Sequence, residues 1–514
     1  MRTVADLIRM NARRHPGREA VVDETRRLTH LELAERAWGV ARGLAGLGVK
    51  PGDTVGVLAG NGVFCAEAFL GIAAAGAVFV PYNWRWSTAE LVAGVNETRA
   101  AVVLVEEGRG EDFALAERTG GLEHVRHVVH EDERYAAMLR AAPTGPLEPE
   151  CGPEDPACVL FTGGTTGFSK GVVLSHRAVL ANAVNEIVDC RVGAAPGDRG
   201  LITTPLFHSA GLLCWFVPHY ATGATSVLMS RFDEQSVAET MERERVTNTF
   251  LVPNMISRLV RSGAFESPGV RRGFTALHSG AGLLRHADKE ALAELLPGLS
   301  LYFRYGLTEA GPMVTRLRPA DIMRRDLEGS IGREYLLAEA QVQDDEGREL
   351  PPGELGEICV RGPGLMTGYY RRPQATEDAF RAGWLRTGDL AVRDEEGFFF
   401  FRDRAKDMIK SGGENVYSAE IEQILMTHPA VAEAVVLGAV SEEWGEEVRA
   451  VVVCRPGEEL TEAGVRDFVR GRLAGYKVPK RVAFREREQL PRSGMGKLLK
   501  NRLRDDLGWG GEQS

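Results

Sequence analysis

The stretch "FTGGTTGFSKG", residues 161–171, is the most informative part of the sequence. It overlaps the end of an apolar segment, "ACVLFT" (157–162), which is typical of a buried strand. Its glycines let backbone N–H groups approach a ligand closely, its threonines add hydroxyl donors, and Lys170 adds a cation. The spacing matches neither the Walker loop nor the G-x-G-x-x-G dinucleotide motif. We therefore predict a phosphate-binding loop of another kind, although an ordinary Gly/Ser/Thr turn stays open for this stretch alone.

The composition indicates a globular protein with no nucleic-acid or membrane signature. The chain has 514 residues, which corresponds to about three folding units, and a net charge of -10 with no basic block. Its longest apolar run, residues 69–80, has 12 residues and is too short to span a bilayer. The seven cysteines form no C-x-x-C pair, which argues against a zinc site or a disulfide framework. We expect a cytoplasmic protein.

The first residues, "MRTVADLIRMNARRHPG", lack the apolar centre of a secretory signal. Val4, Leu7, Ile8 and Met10 have helical spacing, with arginines between them. Both a transit peptide and a docked surface helix fit this pattern, and we favour the docked helix.

Strand-like and helix-like segments alternate through the first 330 residues, which indicates the α/β class with largely parallel sheets. Residues 330–403 have short Gly- and Pro-punctuated runs that indicate a small β-barrel or meander, with a hairpin over 387–404. The chain after residue 404 has a helix, strand, strand, helix pattern typical of a compact α+β unit. We predict an N-terminal domain over 1–403 and a C-terminal domain over 404–514. The predicted strands of the first part lie at 54–60, 100–107, 127–130, 157–162, 200–204, 225–230 and 247–253.

Four further segments give the loop its context: "PLFHSAG" (205–211), "YGLTEAG" (305–311), "TGDL" (387–390) and "PRSGMGK" (491–497). Each is weak alone, but their order and separation are specific. With the loop, they make residues 4–503 resemble the adenylate-forming superfamily of acyl-CoA synthetases, firefly luciferases and peptide-synthetase adenylation domains. The resemblance implies a large N-terminal domain, a small mobile C-terminal domain, and activation of a carboxylate by ATP to acyl-AMP and pyrophosphate. Most members then pass the acyl group to a thiol.

The resemblance implies that the loop holds the β- and γ-phosphates of ATP. Two residues depart from the family pattern T-S-G-T-T-G-x-P-K-G: Gly163 replaces a serine and Ser169 replaces a proline. We expect these changes to make the loop more mobile and its hold on pyrophosphate weaker. The implied phosphate-binding residues are Thr162, Gly163, Gly164, Thr165, Thr166, Gly167 and Lys170.

The same resemblance assigns the other nucleotide and catalytic groups. Tyr305 offers an aromatic face to adenine, and Thr308 donates to the α-phosphate. Glu309 is the Mg²⁺ ligand. Lys497 is the catalytic lysine, which stabilises the approaching carboxylate and phosphate electrostatically. The remaining assignments are His208 as a further catalytic residue, Gly280 and Ala281 beside adenine and the acyl pocket, and Asp389 and Arg404 at the ribose.

For the second half-reaction, the resemblance implies that the C-terminal domain pivots at Lys406. The face formed by residues 406–422 then replaces Lys497 at the active site, with Lys410 near the acyl-adenylate. Gly412 and Gly413 leave room for a pantetheine arm, and they also fit a simple turn before a helix capped by Ser418. Further groups assigned to the nucleotide end of coenzyme A are Trp444, Lys477, Lys480 and Arg481.

The function expected from these motifs is an acid–CoA ligase that uses ATP, Mg²⁺ and coenzyme A. Segments 207–220, 252–259 and 311–314 are aromatic or apolar and are predicted to line the acyl pocket, so we expect a fatty, aromatic or polycyclic acid. Three alternatives stay open: an enzyme that loads an acyl carrier protein, luciferase-type oxidation, and a non-catalytic relative that binds acyl or nucleotide ligands. A homodimer is also compatible with the sequence.

Overall fold

The structure is a computed structural model that describes residues 2–509 except 119–120, 142–144, 148, 163–168, 283, 412–413, 442 and 493–497. The chain forms two compact units. The large unit contains the described residues up to Ala340 together with Val360–Leu385. The small unit contains Gln341–Cys359 and the chain from Arg386 onward. The domain boundary at residues 403/404 stays a prediction.

The strands alternate with helices along most of the chain, as the α/β pattern predicts. The strands are β1 (Glu19–Val22), β2 (Arg27–Thr29), β3 (Thr54–Leu58), β4 (Val78–Tyr82), β5 (Val102–Val105), β6 (His127–His130), β7 (Pro156–Thr162), β8 (Lys170–Ser175), β9 (Arg199–Ile202), β10 (Thr225–Leu228), β11 (Asn248–Phe250), β12 (Ala276–Gly280), β13 (Ser300–Gly306), β14 (Met313–Leu317), β15 (Ser330–Glu334), β16 (Glu339–Gln343), β17 (Leu355–Arg361), β18 (Gly368–Tyr369), β19 (Phe380–Arg381), β20 (Trp384–Arg393), β21 (Phe399–Arg404), β22 (Ile409–Ser411), β23 (Glu414–Val416), β24 (Val431–Ser441), β25 (Gly445–Cys454) and β26 (Arg481–Phe484).

The helices pack on the sheets, and a π-helical turn, Leu212–Phe216, continues α8 into α9. The helices are α1 (Val4–Arg14), α2 (His30–Gly46), α3 (Val63–Ala74), α4 (Thr88–Thr98), α5 (Gly110–Arg118), α6 (Glu133–Ala141), α7 (His176–Cys190), α8 (Ser209–Gly211), α9 (Val217–Thr222), α10 (Glu234–Arg243), α11 (Pro253–Ser262), α12 (Pro268–Gly273), α13 (His286–Leu295), α14 (Pro373–Ala379), α15 (Ser418–Met426), α16 (Glu462–Arg470) and α17 (Lys500–Asp506).

Two sheets organise the large unit. One has the strand order β18-β8-β7-β4-β3-β5-β6, and the other runs β15-β14-β13-β12-β11-β9-β10-β1-β2. Strands β3, β4 and β5 pair in parallel and are buried on both faces, which explains why their sequences are continuously apolar. The predicted strands of this part are all present, and the α/β class is confirmed.

The apolar run at residues 69–80 is divided between two elements. Its first half is the end of α3, a helix that is buried all round, and its second half enters β4. Gly76 makes the turn between them with φ of 69°, a left-handed conformation that favours glycine. In the described part of the chain, no helix has both the length and the apolarity needed to cross a membrane.

The N-terminal segment is the docked helix that its spacing predicts. Helix α1 buries Val4, Leu7 and Ile8, while Asn11 donates its side-chain amide to the Tyr220 carbonyl oxygen at 2.5 Å. The backbone N–H of Val4 donates to Nδ1 of the buried His176 at 3.3 Å. These contacts fix the start of the chain against the large unit.

In the small unit, β16, β17, β20 and β21 neighbour one another in that order, and a second sheet runs β23-β22-β25-β24 with β26 beside β25. The hairpin predicted over 387–404 is formed by β20 and β21 and turns through Gly397 with φ of 84°. Beyond it, α15, β24, β25 and α16 follow in the predicted order and share one apolar core.

Candidate functional site

The predicted phosphate loop joins two antiparallel strands of the large unit. Thr162, the last residue of β7, pairs with Lys170, the first residue of β8. The Thr162 hydroxyl donates to the Lys170 carbonyl oxygen at 3.4 Å, which adds a side-chain hydrogen bond to the strand pairing at the base of the loop. The Lys170 ammonium lies 4.8 Å from the centre of the Tyr369 ring, within cation–π range. The loop residues Gly163, Gly164, Thr165, Thr166 and Gly167 lie outside the described residues.

The segment "YGLTEAG" forms a tight turn at the end of β13. Its central residues, Thr308–Ala310, make one 3₁₀ turn, closed by a hydrogen bond from the Leu307 N–H to the Pro312 carbonyl oxygen at 2.9 Å. A Cβ on Gly306 would lie 2.0 Å from the Pro312 oxygen, and one on Gly311 would lie 1.7 Å from the Gly364 oxygen. Glycine is therefore required at both positions by the close approach of the backbone.

Two side chains that the motifs do not assign hold this turn. The Thr308 hydroxyl is buried and lies 2.9 Å from the hydroxyl of Ser209, at the start of α8. The Tyr369 hydroxyl donates to Oε1 of Glu309 at 3.0 Å. Ser209 directly follows His208 in "PLFHSAG", so the sequence predicts that it lies near the site, although it assigns Ser209 no role. Tyr369 comes from a separate strand, and no predicted motif contains it.

His208 lies at the N-terminal end of α8 and is 6% exposed. Burial, reinforced by the positive charge of Arg85, lowers the pKa of its imidazole to about 3. The ring is therefore neutral near pH 7 and can donate or accept a hydrogen bond, but it carries no positive charge. The preceding loop is held by Asn61, whose Oδ1 accepts from the Leu206 N–H at 2.8 Å and whose amide donates to the Thr204 oxygen at 3.0 Å.

The segment "SGAG" ends β12 beside β13. Gly280 pairs with Arg304, and a Cβ there would lie 2.6 Å from the Arg304 carbonyl oxygen. Ala281 has φ of 61°, in the left-handed region that a side chain disfavours by roughly 1–2 kcal/mol. The structure thus places Gly280 and Ala281 at the strand end next to Tyr305, which is partly exposed.

Beneath this strand end lies a buried charged cluster that the sequence did not indicate. The Arg304 guanidinium is 2.9 Å from the Glu186 carboxylate, with side-chain exposures of 1% and 0%. Arg304 also donates to Nδ1 of His278 and lies 5.0 Å from the centre of the Trp215 ring. Burial, followed by the charge of Arg304, holds the pKa of His278 well below its ordinary value, consistent with a neutral acceptor. Trp215 belongs to segment 207–220, which is predicted to line the acyl pocket.

In the small unit, the two predicted ribose contacts face each other. Asp389 on β20 pairs with Arg404 on β21, and Nε of Arg404 is 3.6 Å from Oδ1 of Asp389. The Asp389 side chain is largely buried, whereas 34% of the Arg404 side chain is exposed. This geometry leaves the guanidinium accessible while the carboxylate is held in the hairpin.

Asp403, beside Arg404, connects the hairpin to α15. Its carboxylate accepts from the backbone N–H of Arg404 at 2.8 Å and from that of Ser418 at 2.5 Å. The sequence predicts Ser418 as the N-cap of α15, and this is wrong: Ser418 is the first residue of the helix. Tyr417 is the N-cap residue, and its side chain makes no capping hydrogen bond. The Asp403 carboxylate supplies the acceptor that an N-cap side chain normally provides. Lys406, the predicted pivot, has its pKa lowered by burial, and then by Arg404.

The predicted thiol-side residues of the small unit have different surroundings. Lys410 is exposed on β22, with its backbone N–H donating to Glu446 at 2.8 Å. Trp444 is 39% exposed, and the centre of its ring lies 5.0 Å from the Lys480 ammonium. Lys477 is paired with Glu420 at 2.7 Å, so its charge is already balanced within the small unit. Gly412, Gly413 and Lys497 lie outside the described residues.

The donor set around Glu309 suits a Mg²⁺ ion that is bound together with ATP. Tyr369 uses one acceptor position of this carboxylate, which leaves Oε2 and a further lone pair of Oε1 for a cation. Among the described residues, no group of three or more His, Cys, Asp or Glu side chains could hold a metal. A single protein carboxylate can serve Mg²⁺, because proteins usually bind this ion through one or two carboxylates together with substrate phosphates.

The chain is similar to known proteins over most of its length. The model of the AMP-binding enzyme family matches residues 8–370, and the model of the AMP-binding enzyme C-terminal domain matches residues 420–497. Feruloyl-CoA synthase from an Amycolatopsis species is 37% identical over 97% of both chains. The fatty acid–[acyl-carrier-protein] ligase ScoC of Streptomyces coeruleorubidus is 34% identical over 99% of this chain and 97% of its own. Indoleacetate–CoA ligase of Aromatoleum aromaticum is 34% identical over 98% and 97%, respectively.

A solved structure shows the same fold. ATP-bound MatB from Rhodopseudomonas palustris superposes with a TM-score of 0.88 at 29% identity, covering 98% of this chain and 99% of MatB. The α/β architecture with a large N-terminal and a small C-terminal domain is therefore that of the adenylate-forming enzymes. The chain belongs to the AMP-binding enzyme family, among its AMP-forming acid–thiol ligases.

Proposed function

We propose that the protein is an ATP-dependent acid–CoA ligase that works through an acyl-AMP intermediate on an acid with a hydrophobic body. The main support is the turn Thr308–Ala310, in which Thr308 is held by Ser209 and Glu309 by Tyr369, next to Lys170. The relatives named for ferulate and indoleacetate activate aromatic acids, which agrees with the apolar segments 207–220 and 252–259.

In the first half-reaction, a carboxylate oxygen of the acid attacks the α-phosphorus of ATP, and the bond to the β-phosphate oxygen breaks to release pyrophosphate. Lys170 and the loop bind the departing phosphates, while the Thr308 hydroxyl donates to the α-phosphate. Glu309 would hold the Mg²⁺ that offsets the phosphate charge when ATP is bound. Lys497 stabilises the charge that develops between carboxylate and phosphate. No side-chain nucleophile is needed, because the carboxylate of the acid itself attacks.

In the second half-reaction, a thiol sulfur attacks the acyl carbon of acyl-AMP. The bond from that carbon to the phosphate oxygen breaks, AMP leaves, and the thiol proton is released to solvent. The small unit contributes Asp389 and Arg404 to the ribose and Lys410 and Trp444 to the acceptor, after a movement about Lys406. Coenzyme A is the acceptor that we favour. A carrier protein is the second candidate, because ScoC is named for that acceptor and because a pantetheine arm is chemically the same in both.

Pyrophosphate release with a panel of acids tests the first half-reaction. The panel should contain hydroxycinnamates, indole acids and fatty acids of several lengths, each with saturating ATP and Mg²⁺. We expect release with at least one aromatic or fatty acid and thioester formation on adding coenzyme A. No release with any acid would contradict the proposal, and thioester formation only with a phosphopantetheinylated carrier protein would select the second acceptor.

The variant Lys497→Ala separates the two half-reactions. We expect it to lose adenylation while largely retaining thioester formation from supplied acyl-AMP. Equal loss in both would contradict the assignment of Lys497 to one of two alternating arrangements.

A further inference from the structure

Tyr369 contacts both of the oppositely charged side chains that the proposed function assigns to the polyphosphate. Its hydroxyl donates to Oε1 of Glu309 at 3.0 Å. The centre of its ring is 4.8 Å from the ammonium of Lys170. The hydroxyl and the ring are separate parts of one side chain, so the two contacts can be removed one at a time.

The backbone around Tyr369 fixes the position of this ring. Strand β18 pairs antiparallel with β8, the strand that Lys170 begins, and the Tyr369 N–H donates to the Thr376 hydroxyl at 2.9 Å. On the other side, the Met366 N–H donates to the Glu309 carbonyl oxygen at 2.9 Å. Strand β18 therefore joins the base of the phosphate loop to the turn that carries Glu309.

The contacts have a clear chemical consequence for Glu309. A carboxylate whose oxygen accepts a fixed hydrogen bond has its orientation restricted, and partners of this kind usually contribute 10–100-fold to metal affinity, as an order of magnitude. An ionised carboxylate can only accept hydrogen bonds, so the Tyr369 hydroxyl is the donor in this contact.

The contact with Lys170 has a different effect. The negative face of the ring attracts the Lys170 ammonium electrostatically. This contact restricts the long, flexible side chain of Lys170 before ATP binds. Lys170 therefore loses less conformational entropy when ATP binds.

We propose that Tyr369 is a positioning residue for MgATP: its hydroxyl orients Glu309 toward the metal ion, and its ring holds Lys170 for the polyphosphate. The inference rests on the proposed function only for the identity of the ligand.

Equilibrium binding of ATP to the full-length protein, measured by calorimetry across a range of Mg²⁺ concentrations and in EDTA, tests this proposal. Tyr369→Phe keeps the ring and removes the hydroxyl. We expect it to raise the Mg²⁺ concentration at half-saturation about tenfold, while ATP binding in EDTA changes less than about twofold. Tyr369→Leu removes both contacts and should also weaken ATP binding in EDTA by about two- to fivefold.

Tyr370→Phe is the matched control, because Tyr370 is the next residue and its hydroxyl donates to the Thr98 carbonyl oxygen at 3.3 Å instead of to Glu309. Its Mg²⁺ dependence should equal that of the wild type. Glu309→Gln supplies a second background: if Tyr369 acts through Glu309, adding Tyr369→Phe to Glu309→Gln should change the Mg²⁺ dependence less than about twofold.

The proposal would be overturned if Tyr369→Phe weakened ATP binding equally with and without Mg²⁺. It would also be overturned if Tyr369→Phe changed the Mg²⁺ dependence of ATP binding no more than Tyr370→Phe does. ATP binding by the wild type that does not depend on Mg²⁺ would overturn it as well. The acid panel is a separate measurement, so an inactive protein that binds ATP with the expected Mg²⁺ dependence would refute the ligase function and support the role of Tyr369.

Discussion

Two arginine–carboxylate pairs, one in each compact unit, place the same chemical groups in opposite surroundings. Arg304 and Glu186 are almost completely buried at 2.9 Å, and the guanidinium is also bonded to His278. Arg404 and Asp389 lie 3.6 Å apart, and 34% of the Arg404 side chain is exposed. A buried pair has lost its hydration and depends on its partner, whereas a partly exposed pair can exchange that partner for a ligand. Removing one partner of the first pair should therefore destabilise the fold, and the second pair is suited to binding.

The largest effect should come from breaking the buried pair. Arg304→Met leaves Glu186 without its counter-ion in an apolar environment and should lower the free energy of unfolding by about 3–5 kcal/mol. Denaturant titration measures the loss. Arg404→Met is the matched control and should cost less than about 1 kcal/mol, because its guanidinium is 3.6 Å from the carboxylate and partly solvated, and such a pair contributes little.

The double variant Arg304→Met, Glu186→Gln removes both charges and should recover part of the loss. If Arg304→Met and Arg404→Met destabilised the protein equally, the contrast between the two pairs would be refuted.

The second-largest effect should be a loss of stability at acid pH, caused by His278 in the buried cluster around Arg304. His278 contacts Arg304, and burial together with this charge keeps its folded-state pKa well below 6.5. Below pH 6.5 the unfolded chain binds a proton that the folded protein does not. This contribution to stability is therefore present above pH 6.5 and is lost as the pH falls, by up to about 1.4 kcal/mol per pH unit.

The free energy of unfolding of the wild type and of His278→Gln, measured between pH 7 and 5, checks this expectation. The free energy of unfolding of the variant should fall less steeply toward acid. The difference in slope should correspond to about one proton fewer taken up on unfolding. Parallel pH profiles would indicate that His278 is not the group responsible. His208, whose pKa is lowered to about 3, should contribute a slope of the same sign.

For the pair formed by Arg404 and Asp389, the effect should be on ligand binding. Asp389→Asn removes the negative charge that would accept from the ribose hydroxyls and should weaken ATP binding about tenfold, or about 1.4 kcal/mol. Calorimetric titration with ATP gives the affinity, and a thermal melt should show little change in stability. A large loss of stability without loss of ATP affinity would assign Asp389 to the fold instead.

The smallest effect is expected at the edge of the buried region, where Ala281 follows β12. Replacing this left-handed alanine with glycine removes the steric cost but increases the freedom of the unfolded chain, so Ala281→Gly should stabilise the protein by at most about 1 kcal/mol. A denaturation midpoint that falls would show that the alanine methyl group makes contacts that exceed its backbone cost.

Local pattern was sufficient for much of the fold. The apolar strand segments, the docked N-terminal helix and the hairpin at 387–404 all appear where the sequence predicts them, because their hydrophobic spacing and turn residues agree with their final surroundings. The run at 69–80 was less informative: it is apolar throughout and contains both a helix end and a strand, a distinction that periodicity cannot make when every face is buried.

Motif order identified the family and named Thr308, Glu309, Asp389 and Arg404, since these residues lie within short, recognisable segments. Their partners came from the fold. Ser209 and Tyr369 meet the Thr308–Glu309 turn from distant parts of the chain, and Asp403 takes the capping role that Ser418 was expected to have. Spacing along a chain predicts contacts within a helix, a strand or a turn, but side-chain pairs across elements depend on how those elements pack. For that reason the sequence identified the adenylate-forming chemistry, while the folded arrangement alone revealed Tyr369 between two charges and Arg304 committed to a buried pair.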